Sequence, residues 1–213
     1  DVQTTADGSQ FEVYGTTFAV KLAGQFNVLN YLAAISVGAM YGIDLPKIKP
    51  ILESIGSVPG RMEFVQREPF GVVVDYAHTP DSLELVYKTL KPKAQKLICV
   101  LGAAGGGRDK WKRPEFGRIA SEYCDEIILT NEDPFEENPE KILDEIESGV
   151  KDKNKIKRII DRREAIKASI QKAEQGDMVI ITCKGSEVSM AVSGNKKIPW
   201  SDKEIVRNAL QLK

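Results

Sequence analysis

Basic excess, long apolar runs and clustered cysteines are all scarce in this chain, and each shortage removes a class of function. Lysine and arginine number 30 against 31 aspartate and glutamate, a formal net charge of -1, so nonspecific nucleic-acid binding is not expected. No segment approaches the roughly 20 apolar residues that span a bilayer, and Asp1-Val2-Gln3-Thr4 lacks signal-peptide character. A cytoplasmic protein with no membrane partner is expected. The three cysteines, Cys99, Cys124 and Cys183, are widely spaced, with no Cys-x-x-Cys and one histidine in the chain. Neither disulfides nor a zinc site is expected from that pattern. Cys99 and Cys183 sit in apolar runs, where cysteine acts as a small hydrophobe. No metal-ligand set stands out, and no G-x-x-x-x-G-K-[ST] phosphate loop occurs.

What is present reads as a globular chain, 42% hydrophobic and 29% charged, of a length between one large domain and two small ones. Residues 10–22 alternate as a hairpin turning at Gly15 and Thr16, with no further strand expected beside it. A helix over residues 27–41 is almost wholly apolar and small, so burial is expected; a second covers residues 46–55 and stops at Gly56. The turn formers Ser57-Val58-Pro59-Gly60 mark a candidate domain boundary. Beyond it, apolar runs at 71–75, 97–102, 126–130, 156–160 and 178–182 read as buried strands. Helices between and after them start at Thr79-Pro80, at Asn138-Pro139, at Asp161 with Glu164 and at Ser201 with Glu204. This alternation predicts an α/β, Rossmann-like, mainly parallel doubly wound sheet.

Ligands bind outside the carboxyl ends of such strands, so the loops there carry the information. They read Asp75-Tyr76-Ala77-His78-Thr79-Pro80, a glycine-rich run 102–107 followed by Arg108-Asp109, then Thr130-Asn131-Glu132-Asp133-Pro134, and Thr182-Cys183-Lys184-Gly185-Ser186-Glu187. Polar and glycine-rich loops at one rim point to a binding cleft. The glycine-rich run lacks G-x-G-x-x-G spacing and no acidic residue closes the next strand, which argues against a nicotinamide dehydrogenase. Close backbone approach followed by the cations of residues 108–113 suits an anionic ligand. His78, the only histidine, lies between a strand-ending aspartate and a helix start.

Together these segments resemble the Mur ligase family, in its MurE-type branch of UDP-N-acetylmuramyl-tripeptide synthetases. Gly24-Gln25-Phe26-Asn27-Val28-Leu29-Asn30 with Ala33-Ala34 is similar to the family's G-x-F-N-x-x-N-x-x-A-A segment. Val58-Pro59-Gly60-Arg61-Met62-Glu63 resembles its interdomain junction, and Asp75-Tyr76-Ala77-His78-Thr79-Pro80-Asp81 matches D-Y-A-H-T-P-D in full. Gly105-Gly106-Gly107-Arg108-Asp109 with Lys112-Arg113-Pro114 is similar to G-G-D-R-D-x-x-K-R-P.

The resemblance implies that residues 1–58 are the tail of a central ATP-binding domain and residues 59–213 the carboxyl-terminal domain. It implies ATP and Mg2+ as cofactors, the metal ligands lying in a central-domain region that this sequence does not include. Asn27, Arg61, Asp75 and His78 would serve ATP; Arg108, Asn131, Glu132, Asp133, Pro134, Phe135, Cys183 and Glu187 would hold an incoming amino acid. No catalytic residue is singled out. The partners implied are UDP-N-acetylmuramoyl dipeptide and a free amino acid, joined through an acyl phosphate in peptidoglycan synthesis. Folylpolyglutamate or cyanophycin synthetase-like ligases, and a non-catalytic ligand-binding module, are the alternatives. Two departures bear on specificity. Members that add diaminopimelate carry D-N-P-R where this chain has Glu132-Asp133-Pro134-Phe135, and Ser186 replaces the histidine of K-G-H-E.

Overall fold

A computed structural model describes residues 1–5 and 8–213, which form two compact units, Asp1–Val58 and Pro59–Lys213. In the first, β1 (Val2–Thr5), β2 (Gly8–Val13) and β3 (Thr16–Val20) make an antiparallel sheet in that order. Alternation in β2 and β3 turns Phe11, Phe18 and Val20 inward; the two phenylalanine rings stack at 5.3 Å. Onto them pack Val28, Tyr31 and Ile35 of α1 (Gln25–Met40) and Ile48 and Leu52 of α2 (Leu45–Ser54).

Two expectations are corrected in this unit. The hairpin does gain a further strand, because Val2–Thr5 pairs with β2 although every β1 side chain is exposed and leaves no hydrophobic alternation to read. Helix α1 buries only one stripe; Leu29, Val37 and Met40 are exposed, so its apolar composition did not mean burial on all sides.

The second unit is built on a six-stranded sheet ordered β4 (Glu63–Gln66), β5 (Gly71–Val74), β9 (Met178–Ile181), β6 (Leu97–Leu101), β7 (Glu126–Leu129), β8 (Ile156–Arg158). Only β4 runs antiparallel, at one edge and with a bulge between Phe64 and Gln66. All five apolar runs expected as strands are strands, and the sheet is doubly wound as expected. One face packs against α6 (Arg162–Lys172) and α7 (Asp202–Gln211): Val72, Val74, Ile98, Val100, Val179 and Ile181 meet Ile166, Ile170, Ile205 and Val206. The alternate residues, among them Val73, Cys99, Leu101 and Ile180, are equally buried on the other face, where α3 (Pro80–Leu90), α4 (Lys112–Tyr123) and α5 (Pro139–Ser148) pack side by side. A small hairpin of β10 (Ser189–Val192) and β11 (Lys196–Pro199) follows β9.

Caps fix where the helices begin. Thr79 and Ser82 form a reciprocal capping box on α3. Asn138, Asp161 and Ser201 each accept from a first-turn N–H of α5, α6 and α7. No described helix is long and apolar enough to cross a membrane.

The cysteine expectation is overturned as well. Cys99 of β6 and Cys124, at the end of α4, form a disulfide with a separation of 25 residues. Sequence distance hid the pair, because the β6–α4 crossover returns the chain to the strand it left. Cys183 stays a free, buried thiol, as expected. Both bonded sulfurs belong to buried residues, so exchange with an external thiol requires local opening. Closing a loop of this length should stabilise the oxidised chain by about 3.5 kcal/mol at 25 °C. Urea unfolding of oxidised and fully reduced chain should show that gap; coincident curves would mean the bridge contributes nothing.

Candidate functional site

Because β5, β9, β6 and β7 are parallel neighbours, the loops that leave them meet at one rim. Between them lies a small cleft, open to solvent. Its cationic side is Arg108 and Lys112, with His78 nearby; its acidic side is Glu132, Asp133 and Glu187; Phe135 and Cys183 also line it.

The glycine-rich loop after β6 is shaped by its neighbour rather than by open space. A Cβ on Gly105 would fall 2.2 Å from the Pro134 carbonyl oxygen, and the Gly105 N–H donates to Asp133 O at 2.7 Å. Gly106, at φ +66°, lies under the Phe135 ring, whose atoms would sit 2.7 Å from an added Cβ. The close approach expected at these glycines is therefore made by the acidic loop of residues 131–137. The cations behind the loop divide in the same way. Arg113 is fully buried, bonding Glu137, Glu145 and the Ala104 carbonyl, and Lys110 pairs with Glu137. The bond to Arg113, ahead of Gly107 N–H and Lys110, pulls the Glu137 carboxyl down to about 2. Of the expected anion-binding cations, Arg108 and Lys112 face the cleft.

On the acidic side, Glu132 is 7% exposed and accepts no hydrogen bond from the described residues. Burial, reinforced by Asp133, pushes its carboxyl up to about 7. Asp133 accepts from Lys184 Nζ and Ala191 N–H. Glu187 accepts from the Tyr76 hydroxyl at 2.9 Å and from Lys184. Carboxylate oxygens of all three acids lie within 4.8 Å of one another, the spacing of a metal-ligand set, but the Lys184 ammonium already bonds two of them. Cys183, at φ +83°, donates to the Gly102 carbonyl. Burial, then the neighbouring Glu132, pushes its thiol up to about 12, so it is neutral at physiological pH and no nucleophile.

Of the remaining expected residues, His78 lines the cleft and the others lie outside its lining. Asn131 and Pro134 act through their backbones, Asn131 pairing with Ile160 and accepting from Arg162. Asp75 is buried, its two oxygens taking the N–H groups of Met62 and Ala77. Burial raises its pKa against the opposing pull of those bonds. Arg61 is exposed, its guanidinium 4.7 Å from the Tyr76 ring centre, and the His78 ring lies 4.5 Å from the same ring. Asn27 is buried in the first unit, where it bonds Ala23 O and Asn30. Sequence reasoning passed over Tyr76 and Lys184 as site residues, although both stand inside the quoted loop segments; their role depends on contacts across 111 and 51 residues.

Residues 60–185 match the family model described as Mur ligase, glutamate ligase domain. The chain belongs to the Mur ligases. It is 45% identical over 194 residues to the UDP-N-acetylmuramoyl-L-alanyl-D-glutamate--2,6-diaminopimelate ligase of Thermosynechococcus vestitus, covering 89% of this chain and 39% of that protein. With the ligase of the same name from Coxiella burnetii it shares 40% identity over 98% of this chain and 44% of that one. A solved structure of a ligase of that name superposes with a TM-score of 0.71 at 34% identity, covering 100% of this chain and 44% of its own. The chain thus spans about four-tenths of the length of these Mur ligases. A folylpolyglutamate synthase from Mycobacterium tuberculosis, 19% identical with a TM-score of 0.66 over 86% of this chain and 44% of that one, shares the fold.

Glu132 makes the site sensitive to pH. Its folded pKa lies above the ordinary glutamate value of 4.5, so the folded state binds the proton more tightly. Stability from this group is full below the unfolded value and falls as pH rises through about 7. Glu132→Gln should remove that slope and stabilise the chain at pH 8, by up to the order of 3 kcal/mol, with little change at pH 4. Urea midpoints for both proteins across that range are the check; parallel profiles would contradict the assignment.

Proposed function

We propose that this chain is the amino-acid-binding part of an ATP-dependent ligase that adds the third residue to UDP-N-acetylmuramoyl-L-Ala-D-Glu in peptidoglycan synthesis. The observation that carries the reading is a cleft with a cationic rim and an acidic floor, in a Mur ligase whose relatives bear that ligase name. Residues 1–58 are read as the tail of the central ATP-binding domain, and the reaction is assigned to the cytoplasm, where nucleotide-linked precursors and ATP occur together.

ATP would convert the dipeptide carboxylate to an acyl phosphate, which the incoming amine attacks. Within this chain, exposed Arg61 and His78, both beside the Tyr76 ring, fit a phosphate-bearing nucleotide. Asp75 then contributes by fixing Met62 and Ala77 around them, and it is read as the ribose-side residue. Asn27 is read as an adenine-side residue. The acidic trio does not fit Mg2+, since Lys184 occupies it, so the metal is assigned to the central domain. Arg108 would take the α-carboxylate and Glu132 the side-chain ammonium, which leaves the α-amine free to attack. Holding that amine in one domain and ATP in another makes closure part of catalysis. Turnover of ATP by residues 1–213 alone is accordingly not expected; phosphate release with magnesium and the UDP-muramoyl dipeptide would contradict that.

The same arrangement bears on which amino acid is used. Phe135 stands where diaminopimelate-adding members carry an arginine, and it offers no donor to a second carboxylate. A distal carboxylate beside Glu132, Asp133 and Glu187 would lose hydration and meet like charge, whereas an ammonium finds an acceptor. In the full-length enzyme, lysine should exceed meso-diaminopimelate at least tenfold in kcat/KM, and Phe135→Arg should narrow that ratio. A wild-type preference for meso-diaminopimelate over lysine would overturn the specificity reading while leaving the ligase assignment standing.

A further inference from the structure

Lys184 carries a fully buried ammonium behind the acidic side of the cleft. The backbone holds it there: Cys183 and Gly185, on either side, have φ of +83° and +51°. The turn is pressed against the loop after β5, since a Cβ on Gly185 would meet Tyr76 Cβ at 2.7 Å and Gly60 O at 2.9 Å. From this turn the ammonium bonds Asp133 Oδ1 at 2.7 Å and also Glu187 Oε2. Burial alone would depress a lysine, yet these two bonds hold its pKa above the ordinary range. Each partner is fixed a second time, Asp133 by Ala191 N–H at 2.8 Å and Glu187 by the Tyr76 hydroxyl. Glu132 stands apart. It is more than nine-tenths buried, lines the cleft and accepts no hydrogen bond from the described residues.

We propose that Lys184 is a positioning residue that fills the acidic cluster from within, locking Asp133 and Glu187 and reserving Glu132 for the ammonium of a bound amino acid. This rests on the reading of the cleft as an amino-acid pocket. Three carboxylates within 4.8 Å and no internal cation would constitute a site for a divalent metal ion. With Lys184 in place, Asp133 and Glu187 already have an ammonium partner and Glu132 is the acid of the three left without a hydrogen-bond donor among the described residues. The charged and titratable groups facing Glu132 are Asp133 on its own loop, Cys183, Lys184 and Glu187 after β9, Tyr76 and His78 after β5, Arg162 of α6, and Arg108 and Lys112 across the cleft. None of them donates a hydrogen bond to it.

The test uses Mn2+ as probe, with binding to the full chain read from paramagnetic relaxation. Lys184→Met, and Lys184→Gln as a second variant that retains a polar group, should bind Mn2+ at least tenfold tighter than the unaltered chain. Adding Glu132→Gln should reverse the gain. Unchanged Mn2+ affinity in a folded Lys184 variant would overturn the proposal. In the unaltered chain, the Lys184 ammonium protons should exchange slowly in a 1H–15N lysine side-chain spectrum; fast exchange would also overturn it, and this measurement needs no variant. A titration with L-lysine, followed at labelled carboxyl carbons, separates the two readings. A response centred on Glu132 is expected, and a response at Asp133 and Glu187 with Glu132 unmoved would overturn the assigned roles. If no amino acid moves any of the three, the pocket reading fails, while the Mn2+ comparison still decides Lys184.

Discussion

The geometry of the rim depends on one buried ion pair. Arg162, the first residue of α6, and Asp202, the first of α7, face each other with both side chains fully excluded from solvent. Taking two such charges out of water costs several kcal/mol each. The guanidinium offsets this by using its whole fork: Nε and Nη2 bond the two Asp202 oxygens, Nη2 also reaches Thr182 O, and Nη1 approaches Asn131 O at 3.5 Å. Trp200 adds a further bond to Asp202. Thr182 and Asn131 open the loops that carry Lys184 and Glu187 on one side and Glu132 and Asp133 on the other. Apolar residues of similar volume would stabilise a core as well or better, so the pair is best understood as fixing where those two loops start. Arg162 also acts at a distance, since it pulls the Glu132 carboxyl down against burial.

Charges in this molecule divide by whether their partners are already internal. Arg113, Lys110 and Glu137 spend themselves on clamping the glycine-rich loop. Asp75 closes the junction between Met62 and Ala77. Lys184 pairs with the two acids beside it, Asp133 and Glu187. What is left facing the cleft is Arg108 and Lys112 on one side and Glu132 on the other. A net charge of -1 says nothing about this division; burial and partner lists decide it.

That distinction also marks how far the sequence could be read. Apolar runs bounded by capping residues gave every parallel strand and the starts of α3, α5, α6 and α7, because burial and capping are local in sequence. The rim followed from topology, and the resemblance to the Mur ligases singled out Arg108, Glu132, Asp133, Phe135, Cys183 and Glu187, which line one cleft. Whatever depends on a partner far along the chain was not legible. The Cys99–Cys124 bridge, the burial of Arg113 and the Tyr76–Glu187 bond are of this kind. β1 was hidden for a different reason, its side chains being exposed throughout, so that pairing rests on backbone hydrogen bonds that leave no mark on composition.

Phe135 joins these threads. Its φ of +51° costs a non-glycine residue on the order of 1–2 kcal/mol, and the loop enforces it from both sides. Asp133 is held by Ala191 and Lys184, Glu136 by the Gly194 and Asn195 N–H groups, and Glu137 by Gly107 and Arg113. With residues 133, 136 and 137 anchored, the backbone conformation at 135 is set by its neighbours and not by its own side chain. Any residue placed there would project over Gly106, against the cationic end of the cleft. A single substitution at this position would therefore change what faces the cleft without redrawing the loop.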